Sequence, residues 1–137
     1  MSEMDTLSIK DRSQLMARIK GKNTKPELLV RKILYSIGYR FRLHVRSLPG
    51  CPDVVMYGRK KIIFIHGCFW HQHRCGRGTM PSSRVEFWRA KLKANKLRDK
   101  RNLRTLIKLG WKVLTIWECK TLNPDRLTNS LRVFMES

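Results

Sequence analysis

Apolar positions recur along this chain with two different periods, and the changes of period lay out its elements. In residues 24–38, TKPELLVRKILYSIG, Leu28, Leu29, Ile33, Leu34 and Ile37 fall at helical spacing, with Pro26 in the first turn and Gly38 closing the run. Thr24 followed by Glu27 is a capping-box pattern, so a helix is predicted from there. Upstream, DRSQLMARIKGKN places Leu15, Met16 and Ile19 at the same spacing before Gly21, predicting a short basic helix and arm within residues 1–23. The period then falls to two. In YRFRLHV, Tyr39, Phe41, Leu43 and Val45 alternate with Arg40, Arg42 and His44, which predicts a strand with one basic, solvated face that includes His44.

After the turn LPGCP, the β-rich runs DVVMY and KKIIFIH are joined through Gly58 and Arg59, as in a hairpin. Asp53 opens the first strand and His66 ends the second, so antiparallel pairing predicts that the two share one edge of the sheet. Residues 67–81 contain three glycines and no periodicity, which reads as a loop in need of a staple. A long basic helix follows, bent near Asn95, with Val85, Trp88, Leu92, Leu103, Leu106 and Ile107 as its expected inward face and Gly110 at its end. WKVLTIWE is a strand with Cys119 directly after it, and a closing helix begins near Pro124. No repeat or linker interrupts the chain, so residues 1–137 are expected to form one α/β domain, a mixed central sheet flanked by helices.

Composition changes the picture from a fold to a partner. With 137 residues and 42% hydrophobic content the chain suffices for one cored domain, and 30 Lys and Arg against 10 Asp and Glu give a net charge of +20. A polyanion relieves that self-repulsion, so nucleic acid leads, with a merely basic, ribosome-type protein as the bland alternative. No apolar run approaches the roughly 18 residues of a membrane span, and the N-terminal MSEMDTLSIKDR lacks a signal peptide's apolar core. A cytoplasmic protein with no membrane role is expected. In a reducing compartment, Cys51, Cys68, Cys75 and Cys119 point to metal rather than to disulfides.

The segment FIHGCFWHQHRC, residues 64–75, concentrates the candidate chemistry. Cys68, His73, Cys75 and Cys119 supply a Cys3His set whose thiolates and imidazole suit tetrahedral zinc. Spacing alone leaves His71 as a substitute for His73 and Cys51 for any of the thiols, and buried free cysteines with surface histidines are the bland reading. Asp53, in a Pro-Asp pair, is by itself a common turn residue. At the head of a hairpin strand with a polar site at the far end of its partner, it resembles the metal-holding carboxylate of PD-(D/E)XK nucleases. The usual acid and lysine of the second strand are missing, however, because the chain reads Phe64, Ile65, His66.

Taken together, PGCPDVV, HGCFWH, EFW, the Arg98-Asp99 pair and GWKVLTIWEC resemble the very-short-patch repair (Vsr) DNA mismatch endonucleases, over Met16 to Cys119. The resemblance implies a restriction-endonuclease-like core and nicking of double-stranded DNA 5′ of the thymine in T:G mismatches left by deamination of 5-methylcytosine. It implies that Asp53 binds catalytic magnesium with the backbone carbonyl of Ile65, where the best-known member has Thr. By the same match, Glu27 and His66 hold waters around that metal, His71 is the general base, and Asp99 orients it. An imidazole titrating near neutrality with a carboxylate partner suits that task. The bland readings are a helix cap for Glu27 and a surface ion pair for Asp99.

The resemblance also assigns structural zinc to Cys68, His73, Cys75 and Cys119, leaving Cys51 incidental. It matches Phe69, Trp70 and Trp88 to residues that push between base pairs beside the mismatch, with Met16 entering from the opposite groove. Unstacking costs a few kcal/mol per step and less at a T:G wobble, so intercalation helps to select the site. Core packing is the competing reading for Trp88. The resemblance further implies a monomer acting on bacterial DNA and raises the mismatch-repair protein MutL as a candidate partner. The alternatives are a Vsr-like restriction or homing nuclease with different recognition, and a zinc-stapled DNA-binding module without catalysis.

Overall fold

The computed structural model describes residues 24–68 and 83–137. Helix α1 spans Lys25–Ser36, with the Thr24 side chain accepting a hydrogen bond from the Glu27 N–H at 3.3 Å and Pro26 in the first turn. It ends in a Schellman motif: Tyr39 N–H donates to Leu34 O and Gly38 N–H to Tyr35 O, both closed by the left-handed Gly38 at φ +97°. The strand expected over residues 39–45 shrinks to β1, Arg42–Leu43, because His44 at φ 46° leaves the extended region.

Strands β2 (Val54–Met56) and β3 (Lys61–His66) form the expected antiparallel hairpin through a 3-10 turn at Tyr57–Arg59 and a left-handed Lys60. Helix α2, Val85–Lys108, carries the chain over to β4, Lys112–Trp117, which pairs parallel to β3 from Lys61↔Lys112 to His66↔Trp117. A 3-10 turn at Glu118–Leu122 leads into α3, Pro124–Glu136, capped by Asn123 through the Arg126 N–H. Among the described residues, the four strands form one mixed sheet in the order β1-β2-β3-β4.

Side chains alternate across this sheet and build a three-layer domain. Val54, Met56, Ile63 and Ile116 face α1 and α3, where Val30, Leu34, Leu127, Leu131 and Met135 complete the larger core. Val55, Ile62 and Phe64 face the other way and pack with Leu106 of α2 and Trp111. None of the described helices is long and apolar enough to cross a membrane.

Helix α2 corrects one sequence expectation. Its least exposed positions are Val85, Trp88, Leu92, Asn95, Asp99, Asn102 and Leu106, a stripe with steps of three and four. Ile107 (57% exposed) lies off it and faces solvent, while Leu103 (38% exposed) lines a cavity beside it. Hydrophobicity suggested an apolar inward face, whereas the middle third of that face is polar. The reason lies in what it covers.

Candidate functional site

Asp53 is positioned by the turn that precedes it. Gly50 (φ +81°) and Cys51 (φ 47°) are both left-handed, and a Cβ on Gly50 would stand 3.1 Å from Asn102 Nδ2 and 3.2 Å from the Phe64 ring. Only glycine lets this turn tuck between the sheet and α2. The chain then enters β2, and Asp53 Oδ2 accepts the backbone N–H of Ile65 at 2.7 Å. Asp53 and His66, expected at one edge of the sheet, therefore do lie on one cavity. That cavity, about 550 Å³, is also lined by His44, Ile65, Asp99, Asn102 and Trp117.

The polar stripe of α2 forms the far wall of this cavity. Asp99 and Asn102 reach it from the inward face, and Lys96, Lys100 and Arg46 add positive charge around it. Carboxylates within and cations around suit a phosphate diester approached by a divalent ion. Asp99 thus faces the cavity that Asp53 and His66 share, instead of lying on the outer surface of its helix.

Glu27 is far more enclosed than a cap requires, at 2% exposure. Its Oε2 pairs with Arg31 at 2.7 Å, and His44 Nε2 lies 3.3 Å from Oε1 and 3.2 Å from Oε2. His44 Nε2 is also 4.0 Å from Asp53 Oδ1, so α1, the residue after β1 and the head of β2 converge on one point. One donor atom from each of Glu27, His44 and Asp53 falls within 4.8 Å of the other two. This overturns the placement of His44 on a solvated face. The backbone pairing of His44 N–H with Asp53 O at 3.2 Å carries it to the site. Pairing YRFRLHV across the LPGCP turn with DVVMY would have set His44 opposite Asp53, which is the signal that alternation alone hides.

The electrostatics follow from this crowding. Burial is the largest influence on Asp53 and pushes its pKa from 3.8 up to about 8. The Ile65 N–H opposes that shift, the neighbouring Glu27 reinforces it, and Arg31 acts to lower it. A carboxyl so reluctant to ionise alone is receptive to a cation.

At the other end of the parallel pair, β3 and β4 finish in register at His66 and Trp117, so Cys68 and Cys119 each stand two residues past a paired position. Cys68 is buried, Cys119 half-buried, and the Cys68 N–H donates to Glu118 Oε1 at 3.3 Å. Two of the four expected zinc ligands thus follow the adjoining ends of one paired couple of strands, the placement that a shared soft metal would need. Trp88 lies half-buried near the start of α2, its ring edge-on to that of Phe87 at 5.3 Å. Met16, Phe69, Trp70, His71, His73 and Cys75 lie outside the described residues.

Residues 4–77 match the family described as DNA mismatch endonuclease Vsr. The chain is 45% identical over 132 residues to the type II nicking enzyme V.XorIIP of Xanthomonas oryzae pv. oryzae, covering 96% of this chain and 97% of that one. It is 43% identical over 119 residues to the type II nicking enzyme V.NmeAIP of Neisseria meningitidis, covering 87% and 85%. The DNA mismatch endonuclease Vsr of Escherichia coli is 41% identical over 118 residues, covering 86% of this chain and 76% of that relative.

Proposed function

The chain belongs to the Vsr family of DNA mismatch endonucleases, and from that premise we propose that it nicks one strand 5′ of the thymine in a T:G mismatch, initiating very short patch repair. The observation that carries the site is the Asp53 carboxylate, held by the Ile65 N–H at the cavity that Asp99 and His66 also line. Asp53 and the Ile65 carbonyl would hold magnesium, which when bound stabilises charge developing on the phosphate. Their fit rests on hard oxygen donors, a carboxyl whose burial disfavours lone charge, and cations around the cavity for the DNA backbone.

In this reading His71 takes the proton from the attacking water, the water oxygen joins phosphorus, and an ester oxygen of the strand leaves. Asp99 fixes the His71 ring and stabilises the imidazolium that forms. Glu27 and His66 would hold the waters around the magnesium. Zinc held by Cys68, His73, Cys75 and Cys119 would tie residues 67–81 to the end of β4. That arrangement would present Phe69 and Trp70 to the base stack beside Trp88, with Met16 of the basic arm entering from the opposite groove. The restriction-endonuclease-like core, spanning residues 1–137 as one domain, would act as a monomer on DNA in the bacterial cytoplasm. MutL is a candidate partner.

The test is a nicking assay with magnesium on duplexes carrying a single T:G pair in randomised flanks. One nick 5′ of the mismatched thymine, absent from matched duplexes, supports the reading. Cutting of matched DNA at a fixed sequence would instead make the chain a restriction-type nuclease. Tight binding with no cutting in any divalent metal would leave a DNA-binding module.

A further inference from the structure

Three donor groups meet beside Asp53, and one of them is a nitrogen. Glu27, His44 and Asp53 come from three separate segments, yet one donor atom of each lies within 4.8 Å of the others. The cluster combines two carboxyls with the Arg31 guanidinium, so with both carboxyls ionised it carries one net negative charge and accepts a cation. Its spacings also suit one. Octahedral bonds of about 2.1 Å separate adjacent donors by about 3.0 Å and opposite donors by about 4.2 Å. His44 Nε2 stands 3.2 and 3.3 Å from the Glu27 oxygens and 4.0 Å from Asp53 Oδ1.

His44 is held there by an unusual backbone. Its φ of 46° is a left-handed conformation that costs a non-glycine residue free energy and turns the imidazole out of the strand's alternation. The side chain is 14% exposed. A mere partner for Glu27 is already supplied by Arg31 at 2.7 Å, so the strained histidine adds something that the ion pair lacks. What it adds is a nitrogen donor. Imidazole favours first-row transition metals, whereas magnesium prefers oxygen and keeps much of its water.

We propose that His44 is a direct ligand, through Nε2, to the divalent ion held at Asp53, with Glu27 beside it, so that the centre that takes magnesium binds manganese-type ions more tightly still. The inference rests on the reading of Asp53 as a cation-binding carboxylate, and the experiment separates the two. Manganese binding to the full chain, without DNA, is measured by titration calorimetry, and pulsed electron paramagnetic resonance records nitrogen coupling to the bound ion. Wild type, Asp53→Ala and His44→Asn are compared, since asparagine tolerates the left-handed backbone while removing the imidazole.

The expected result is manganese bound more tightly than magnesium in the wild type, with a nitrogen coupling. His44→Asn should lose that coupling and roughly tenfold or more in manganese affinity, with little change for magnesium. Manganese held equally by wild type and Asp53→Ala would overturn the cation-centre reading, and this inference with it. Binding that needs Asp53 but shows no nitrogen coupling, or a coupling that survives in His44→Asn, would overturn the role of His44 alone. If His44→Asn does not fold, His44→Gln takes its place, and the presence or absence of nitrogen coupling in the wild type still decides.

Discussion

Asp53 Oδ2 accepts the Ile65 backbone N–H at 2.7 Å, so a strand edge, and not a flexible side-chain partner, fixes the direction of this carboxylate. Its second oxygen, Oδ1, points toward His44 at 4.0 Å. One residue thereby joins the hairpin register to the cluster it forms with Glu27 and His44.

Asp53→Asn keeps the shape of the side chain and removes its charge. Nicking is expected to fall by roughly a thousandfold or more, the loss of several kcal/mol of transition-state stabilisation, while affinity for mismatched DNA stays close to wild type. Single-turnover cleavage and an equilibrium binding titration on the same duplex check this. Magnesium-dependent cleavage at the wild-type rate would remove Asp53 from the site.

The raised pKa of Asp53, about 8 against 3.8, sets a pH dependence in the metal-free protein. Between those values the folded chain retains a proton that the unfolded chain has released, so stability is greatest on the acid side and declines as pH rises toward about 8. Melting temperatures measured in chelator from about pH 5 to about pH 8 should fall more steeply for wild type than for Asp53→Asn. A divalent ion must displace that proton, so its affinity should rise across the same interval. Parallel melting profiles for the two proteins would contradict the assignment.

The two histidines of HQH should separate by what each loses. His73→Ala should lower zinc content and melting temperature together, since structural zinc contributes directly to folding. His71→Ala should keep zinc, stability and DNA binding and lose about 10² to 10⁴ in nicking rate. Metal analysis, melting curves and single-turnover rates on both variants decide the matter. Zinc lost with His71 and kept with His73 would exchange the roles.

Lys61 tests the scaffold instead of the chemistry. It is 4% exposed, and its Nζ donates to the carbonyls of Phe134, Met135 and Ser137 at 2.8, 2.7 and 2.9 Å, capping the end of α3 from the start of β3. Lys61→Met keeps most of the buried stem and strips the donors from three carbonyls. A loss of about 2–3 kcal/mol is expected, from unmade bonds to a charged group. Denaturant unfolding measures it, and a change within error would show that water replaces the ammonium without loss.

The sequence by itself determined whatever rests on local rules or on exact motifs. The Thr24 cap and the Gly38 stop bound α1 because both act within a single turn of helix. The β2–β3 hairpin follows from two β-rich runs with a short join, and it alone brings Asp53 and His66 to one cavity. The Asp53, HGCFWH and WEC motifs pointed to the family. Tertiary structure decided what pairwise periodicity cannot express. His44 looked solvated because alternation assumes extended backbone, and its left-handed φ breaks that assumption exactly where it pairs with Asp53. Glu27 fits a cap by position and the resemblance set it beside the metal, but only the structure shows its burial against Arg31 and His44. Ile107 looked inward because apolar residues usually are, yet it is exposed, while α2 turns Asp99 and Asn102, along with Leu103, to the cavity over the sheet. A helix wall over a cavity that holds carboxyl groups breaks the hydrophobic pattern that a helix over a core obeys, and only the packed arrangement of α2 against β3 and the Gly50 turn says which of the two it covers.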